Sequence, residues 1–365
     1  MANKHKILVM GAGKIGVTVA SLLARTNDYE SYLSDIRAPH KLPEIAGNPI
    51  KFIPSDIRKT DEIKKFILDN QIEGVISCLP FHLTIEVAKI AAETGIHYFD
   101  PTEDVATTNK VYDLAKTSKG SFAPQCGLAP GFISIAANSL TDGFEEIDHI
   151  KMRVGALTPN VNNNFHYAFT WSIDGVVNEY IHPCVVMQDG ERKLVPALDG
   201  YEHLVVDNEH YEAFFTSGGV GSLVESYAGR AKNMDYKTMR YVGHCEKMKF
   251  ILQDMNLRED PELAKQILTK VIPHTDQDKV VVYVSVFGKK NGVLSEVTYT
   301  NTCYPLQVDN TLFTAIQMTT AAGICTIVDL VVHEKKLSGL VKQEQVSLKE
   351  FLANRFGSYY KSGEK

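Results

Sequence analysis

Hydrophobic and polar positions alternate in two different rhythms along this chain. Up to about residue 126, short unbroken apolar runs are separated by segments of helical period. Ile7-Leu8-Val9-Met10 is too short for a helix and predicts a buried parallel strand, and Val17, Ala20, Leu22 and Leu23 then mark a helix. Further strands are expected at 32–34, 50–53, 74–78, 95–100 and 121–126, with helices at about 60–70, capped by Thr60 or Asp61, and 83–94. Strands interleaved with helices predict a doubly wound parallel sheet. From residue 147 polar and apolar positions alternate: strands are expected at 149–156, 166–171, 184–188, 193–196, 211–216, 279–287 and 293–303. Asp189-Gly190 and Asn291-Gly292 are hairpin turns between neighbouring pairs.

The first strand runs straight into Gly11-Ala12-Gly13-Lys14-Ile15-Gly16 and then the helix. In that order Gly11 permits a tight turn, Gly13 lets backbone N–H groups approach a pyrophosphate, and Gly16 lets helix and strand lie close. An anion is favoured at the helix N-terminus, beside Lys14 and Ile15. The second strand ends in Asp35, nineteen residues past Gly16, where an acid accepts hydrogen bonds from ribose hydroxyls and repels a 2′-phosphate. The expected fold class is therefore α/β, an N-terminal Rossmann sheet with NAD as cofactor; Arg37 leaves NADP open. Asp56, after the third strand, is a candidate for the adenine edge. Cys78, Leu79 and Pro80, leaving the fourth, are candidates for the ribose and nicotinamide side.

A length of 365 residues calls for two domains. We expect a dinucleotide-binding domain over 1–127, a largely antiparallel α+β substrate and dimerisation domain over 128–305, and C-terminal helices in 306–365 that pack back on the first, with the site in the cleft between domains. A net charge of −6 without a long basic run argues against a nucleic-acid partner. The one segment near membrane length, 312–332, carries Thr314, Gln317, Thr319, Thr320, Thr326 and Asp329, and reads as a buried helix rather than a span. No signal-peptide pattern opens the chain, and six scattered cysteines with no ligand spacing fit a cytoplasmic protein without structural metal. Tyr112-Asp-Leu-Ala-Lys116 imitates a short-chain dehydrogenase pair but comes too early, so Lys116 is expected to face solvent.

Gly127-Leu-Ala-Pro-Gly131, Met152-Arg-Val-Gly-Ala156, Phe169-Thr-Trp-Ser172, Asp174-Gly-Val-Val-Asn-Glu-Tyr180, Glu212-Ala-Phe214, Thr216-Ser-Gly-Gly219 and Tyr236-Lys-Thr-Met-Arg-Tyr241 with Gly243-His244 resemble the saccharopine dehydrogenase-like family. Within that family the chain is most similar to the L-lysine 6-dehydrogenase branch. The resemblance implies an NAD(P)-dependent dehydrogenase acting on the C–N bond of a lysine-type amino acid; a homodimer is expected because the second domain's sheet could pair across a two-fold axis. Two groups found in saccharopine-handling members are missing: Ala129 stands where an acid is usual, and Gly155 near a usual cysteine.

Such chemistry needs a cation for the substrate carboxylate, a proton acceptor and a dry face. Arg240, supported by Lys237, Thr238 and Tyr241, is the candidate carboxylate site. A strand with solvated charges is the plain alternative for that run. His244, Lys237, Asp100 and Glu179 are the candidates for proton transfer, His244 because its ordinary pKa is near 6.5. Trp171, following Thr170, is a candidate to cover the aliphatic stem of the substrate, and filling the domain interface is its plain alternative. Two rival readings remain: saccharopine as substrate, with Arg153 or Arg230 as a second carboxylate cation, and a nicotinamide-binding sensor without turnover.

Overall fold

The computed structural model describes residues 4–39 and 41–363. By internal contacts the chain divides into two units: Met1–Phe132 with Gln307–Phe313 and Gln317–Lys361, and Ile133–Leu306 with Thr314–Ile316.

The first unit begins with β1 (His5–Met10), α1 (Lys14–Ala24), β2 (Tyr29–Asp35), β3 (Lys51–Pro54), α2 (Thr60–Asn70), β4 (Gly74–Ser77), α3 (Phe81–Thr94), β5 (His97–Phe99), α4 (Val105–Ala115) and β6 (Phe122–Ala123). All strand pairs are parallel, in the order β3-β2-β1-β4-β5-β6. That is the order of a dinucleotide-binding sheet, with its switch point between β1 and β4. Leu8, Val75, Tyr98 and Phe122 from the sheet pack on Ile63, Ile67, Val87 and Ile90 from α2 and α3. The expected Thr60 or Asp61 cap is not formed. Lys59 occupies that position without a side-chain bond, and Asp61 and Glu62 instead favour the helix dipole from the first turn. Lys116 is exposed and pairs with Asp113.

The second unit contains α5 (Phe132–Leu140), β7 (Phe144–Leu157), α6 (Ile173–Ile181), β8 (Cys184–Gln188), β9 (Glu191–Val195), β10 (Glu202–Val206), β11 (Glu209–Phe215), α7 (Leu223–Ser226), β12 (Ala231–Tyr241), α8 (His244–Lys249), α9 (Pro261–Val271), β13 (Lys279–Lys290) and β14 (Val293–Cys303). Six of its strands follow the order β10-β11-β12-β7-β13-β14, with β8 and β9 on a branch from β12. Every pair is antiparallel except β12 with β7. The sheet curls strongly: Thr302 on β14 donates to Asp207 in the β10–β11 turn, 2.8 Å away although four strands lie between. One face carries Leu157, Val206, Tyr211, Ala213, Met239 and Val281, and the other face, with Phe214, packs on α6, α8 and α9.

No strand forms over 166–171. His166 has a φ of 51°, which breaks an extended run, and the Asn163 side chain binds the N–H of Phe165 and the carbonyl of Tyr167. Only Phe169 makes a bridge, to His274. The glycines at 218–221 form a plain turn, closed by the N–H of Gly221 on the Gly218 carbonyl.

The chain finishes with a small hairpin, β15 (Leu306–Val308) and β16 (Thr311–Phe313), then α10 (Ala315–Val328) and α11 (Leu348–Ala353). Because Leu312 belongs to the hairpin, the helix expected from 312 starts at Ala315. It continues as a π-turn to His333 and is long and apolar enough to cross a membrane, but 83% of that stretch is buried inside the protein. Its Asp329 accepts bonds from Tyr29, Asn354 and Arg355, so the one buried acid on the helix is fully paired.

Candidate active-site residues

In the first unit the carboxyl ends of the strands gather Gly11–Gly16, Asp35, Cys78–Pro80 and Asp100. Gly11 has a φ of +105°, and a Cβ there would stand 2.6 Å from the Cys78 carbonyl at the end of β4. A Cβ on Gly16 would lie 1.8 Å from the Gly11 carbonyl. Both positions therefore require glycine for the backbone itself to close. Gly13 is different: it is exposed and a Cβ would meet nothing within 4 Å. It begins α1 without a side-chain cap and with no acid in the first turn. The chain thus leaves an uncapped helix N-terminus with space in front of it, which fits a dinucleotide pyrophosphate. Lys14 is exposed and Ile15 half-buried at this edge. Asp35 accepts the N–H of Ala12 at 2.7 Å and that of Arg37 at 3.3 Å, fixing its carboxylate beside the glycine turn. Asp56 is held by Arg58, which drives its carboxyl down to about 2, so it stays charged but tied to its own loop.

Asp100, after β5, is fully buried, and its Oδ1 accepts the N–H groups of Thr102 and Gln125. Its Oδ2 and the Tyr98 hydroxyl, which acts on its charge, are both buried with no hydrogen-bond partner among the described residues. Burial pushes the carboxyl up to about 6 despite those bonds. Three residues on, Glu103 is only partly buried by surface area, yet loss of hydration, with Asp104 and Asp100 nearby, pushes it up to about 7. Sequence reasoning gave Glu103 no role. Its place at the carboxyl edge of the sheet was the available signal.

In the second unit β12 carries the polar run, and its two faces separate the residues grouped from the sequence. Arg240 and Thr238 lie on the face packed against α6 and α8. Lys237 and Tyr241 lie on the other, because side chains alternate along a strand. Lys237 pairs with Glu202 at 3.1 Å beside Arg153, and burial together with the Arg153 charge lowers its pKa. Arg153, 1% exposed, is bound by Glu202 and Asp235. Burial alone would raise the Asp235 carboxyl, but Arg153 and His149 hold it well below the usual range. Tyr241 donates to the Thr158 carbonyl. Neither Lys237 nor Tyr241 therefore supports Arg240. The plain alternative also fails, since Lys237 and Arg240, the charges of the 236–241 run, are buried rather than solvated. A side chain at Gly155 would meet Leu157 and Met239 on the Lys237 face, away from Arg240.

Around Arg240 the packing is aromatic and hydroxylic. Its guanidinium lies 4.7 Å from the Tyr167 ring and 5.9 Å from that of Tyr180. Nε donates to the Tyr180 hydroxyl at 2.9 Å, and Nη1 to Thr238 Oγ1 and the Met239 carbonyl, each at 2.8 Å. Nη2 makes no hydrogen bond among the described residues, and it is not among the sealed-in polar atoms. Thr238 is thus occupied in holding Arg240. Glu179 is buried on the adjoining helix. Thr170 is buried with its hydroxyl unpaired among the described residues. Trp171 packs its indole on Gly175, where a Cβ would come within 2.2 Å of the ring, so the Asp174-Gly175 start of α6 makes room for it. His244 is fully buried: its Nδ1 lies 2.8 Å from the Phe165 carbonyl and its Nε2 3.2 Å from the Tyr180 hydroxyl. Burial, reinforced by the Arg240 charge, pushes its pKa down to about 3. A neutral, fully bonded imidazole of that kind is not poised to exchange a proton near neutrality.

Comparison with known proteins decides the ancestry of this arrangement. The family profile "Saccharopine dehydrogenase NADP binding domain" matches residues 7–122, and "Saccharopine dehydrogenase C-terminal domain" matches 127–357. The chain belongs to the saccharopine dehydrogenase family. The first profile is described as an NADP-binding domain, in keeping with a nicotinamide dinucleotide as cofactor at the Gly11–Gly16 turn. Among similar sequences is the mitochondrial alpha-aminoadipic semialdehyde synthase of Mus musculus, 23% identical over 202 residues, covering 52% of this chain and 21% of that protein. The Rattus norvegicus counterpart is 21% identical over 259 residues, 67% of this chain and 28% of its own length. The chain therefore spans less than a third of these relatives. Apo saccharopine dehydrogenase (L-Glu forming) from Saccharomyces cerevisiae shares the fold, with a TM-score of 0.72, 15% identity, and coverage of 98% of this chain and 96% of that one. The family thus accounts for both the parallel sheet and the curled second sheet.

Proposed function

We propose that the enzyme oxidises the ε C–N bond of L-lysine with NAD as hydride acceptor. The observation carrying this reading is Arg240, a buried guanidinium with Nε and Nη1 tied to protein oxygens and Nη2 left over. A single α-carboxylate suits that one free arm. Saccharopine carries additional carboxylates, and neither cation considered for them shares the Arg240 face: Arg153, on the opposite face, is bound through Nε and Nη1 to Glu202 and Asp235 with its Nη2 buried, and Arg230 is exposed on the Tyr227 ring. Saccharopine remains the second reading because the family and the yeast enzyme that shares the fold are named for it.

The dinucleotide, when bound, supplies the acceptor for the hydride. Gly13, on the turn that Gly11 and Gly16 allow to close, would admit its pyrophosphate, and Asp35 would hold its ribose. In the reaction the ε C–H bond breaks and its electron pair leaves as hydride, while the nitrogen gives up a proton and C=N forms. Water then adds to the imine, the C–N bond breaks, and ammonia departs, leaving the semialdehyde. With His244 held neutral, Glu103 and Asp100, raised to about 7 and about 6, are the groups suited to accept that proton. An assay of ammonia against reduced cofactor tests the reading: lysine oxidation releases one ammonia per NADH, whereas saccharopine oxidation releases an amino acid and no ammonia.

A further inference from the structure

We infer that His244 and Tyr180 form a one-way hydrogen-bond relay that aims Arg240 at the substrate carboxylate. The inference rests on the proposed role of Arg240 and names two positioning residues that act through it. Donor and acceptor roles follow from the atoms alone. The Phe165 carbonyl can only accept, so His244 Nδ1, 2.8 Å away, carries the proton and donates. Arg240 Nε can only donate, so at 2.9 Å the Tyr180 oxygen accepts from it. The Tyr180 proton is then free to point at the one remaining partner, His244 Nε2 at 3.2 Å, which accepts as a lone pair. Each bond fixes the next, and the order is Phe165 carbonyl, His244, Tyr180, Arg240.

The surroundings keep this order. His244, Tyr180 and Arg240 are all 2% exposed or less. The imidazole ring stands 4.9 Å from that of Tyr167 and 6.3 Å from that of Phe214, which stacks on it. A protonated imidazole would put a second buried cation close to the guanidinium and leave the Tyr180 proton without its acceptor, which is costly in a dry site. The relay therefore does not move a proton. It holds the guanidinium in one rotation, Nε on Tyr180 and Nη1 on Thr238, with Nη2 the arm that makes no hydrogen bond among the described residues.

The test compares the wild-type enzyme with Tyr180→Phe, His244→Gln and His244→Leu. Glutamine can donate to Phe165 and accept from Tyr180 through its amide, whereas leucine can do neither. With lysine as substrate, Tyr180→Phe and His244→Leu should raise KM about 10- to 100-fold with kcat changed less than about 3-fold, while His244→Gln stays within about 3-fold of wild type in KM. NAD affinity should remain within about 2-fold in all of them, which marks folded enzyme. Nitrogen NMR of the wild type should show His244 neutral and protonated on Nδ1 from pH 6 to 9, and this holds whatever the substrate is. An Nε2-protonated or charged imidazole would overturn the relay, as would an unchanged KM in Tyr180→Phe or a His244→Gln enzyme as impaired as His244→Leu. If the wild type oxidises another amino acid and not lysine, the lysine reading fails separately, and the same KM comparison is made on that amino acid. Should His244→Leu not fold, Tyr180→Phe and the NMR signal decide the outcome.

Discussion

At Gly11–Gly16 the chain offers bare backbone, while on β12 it offers long side chains buried to the last few per cent. The first arrangement recognises a ligand by removing atoms: glycines close a turn and leave a helix end uncovered. The second works by supplying atoms and then restraining them, since a buried guanidinium needs oxygens on every arm that substrate will not occupy. Tolerance to change should differ accordingly. Added bulk should damage the first region, and loss of a partner the second.

The largest effect is expected on the side-chain region. Arg240→Ala removes one donor each from the Tyr180 and Thr238 hydroxyls and the proposed carboxylate cation, so kcat/KM should fall by about 10³-fold or more. Fluorescence titration should find NAD binding within about 2-fold of wild type. Equal loss of both would erase the distinction between the regions.

Next come the glycines, compared with each other. Gly16→Ala drives a Cβ to 1.8 Å from the Gly11 carbonyl and should weaken dinucleotide binding by about 100-fold and destabilise the fold by roughly 1–3 kcal/mol. Gly13→Ala meets no protein atom within 4 Å, so thermal unfolding should stay within about 2 °C while dinucleotide affinity drops by about 10-fold. A stability loss in Gly13→Ala equal to that in Gly16→Ala would mean that Gly13 serves packing instead.

Glu103→Gln should lower kcat by about 10²-fold and remove the acidic limb of the pH–rate profile, because the proton-accepting form appears as pH rises past about 7. An unaltered profile would exclude it as the acceptor. A smaller change is expected at Asp35. Replacing it with Ser removes the charge facing the ribose, and the kcat/KM ratio for NADP over NAD should rise about 10-fold or more, helped by exposed Arg37.

The smallest effect concerns acid stability. Folding lowers the His244 pKa from 6.5 to about 3, so between these values the unfolded chain binds a proton that the native chain refuses. Stability is thus full above about pH 6.5 and is lost as pH falls toward 3. His244→Gln should flatten that part of the curve by a few degrees of unfolding temperature, measured by calorimetry at stepped pH.

These differences also explain what could be seen in the residue order. The parallel sheet, Gly11, Gly16 and Asp35 were legible because a strand, a glycine turn and an acid are local features with fixed spacing. The second unit was less so. Its hairpins at Asp189-Gly190 and Asn291-Gly292 were marked by turn chemistry, yet the loop over 166–171 depends on Asn163 holding Phe165 and Tyr167, and it was mistaken for a strand. Lys237 and Arg240 stand three residues apart, which on a strand means opposite faces. Treating the run as one constellation ignored that parity. Tyr180 was visible within a motif, but its hydroxyl gains a role only when α6 is packed on β12, a contact across 60 residues. Glu103 owes its raised pKa to burial that no local pattern reports.

The most direct measurement is cofactor reduction at alkaline pH with L-lysine and saccharopine supplied separately, each with NAD and with NADP. The expected result is NADH formation with lysine, preferring NAD, and little with saccharopine. Turnover of saccharopine with lysine inert would contradict the single-carboxylate role given to Arg240.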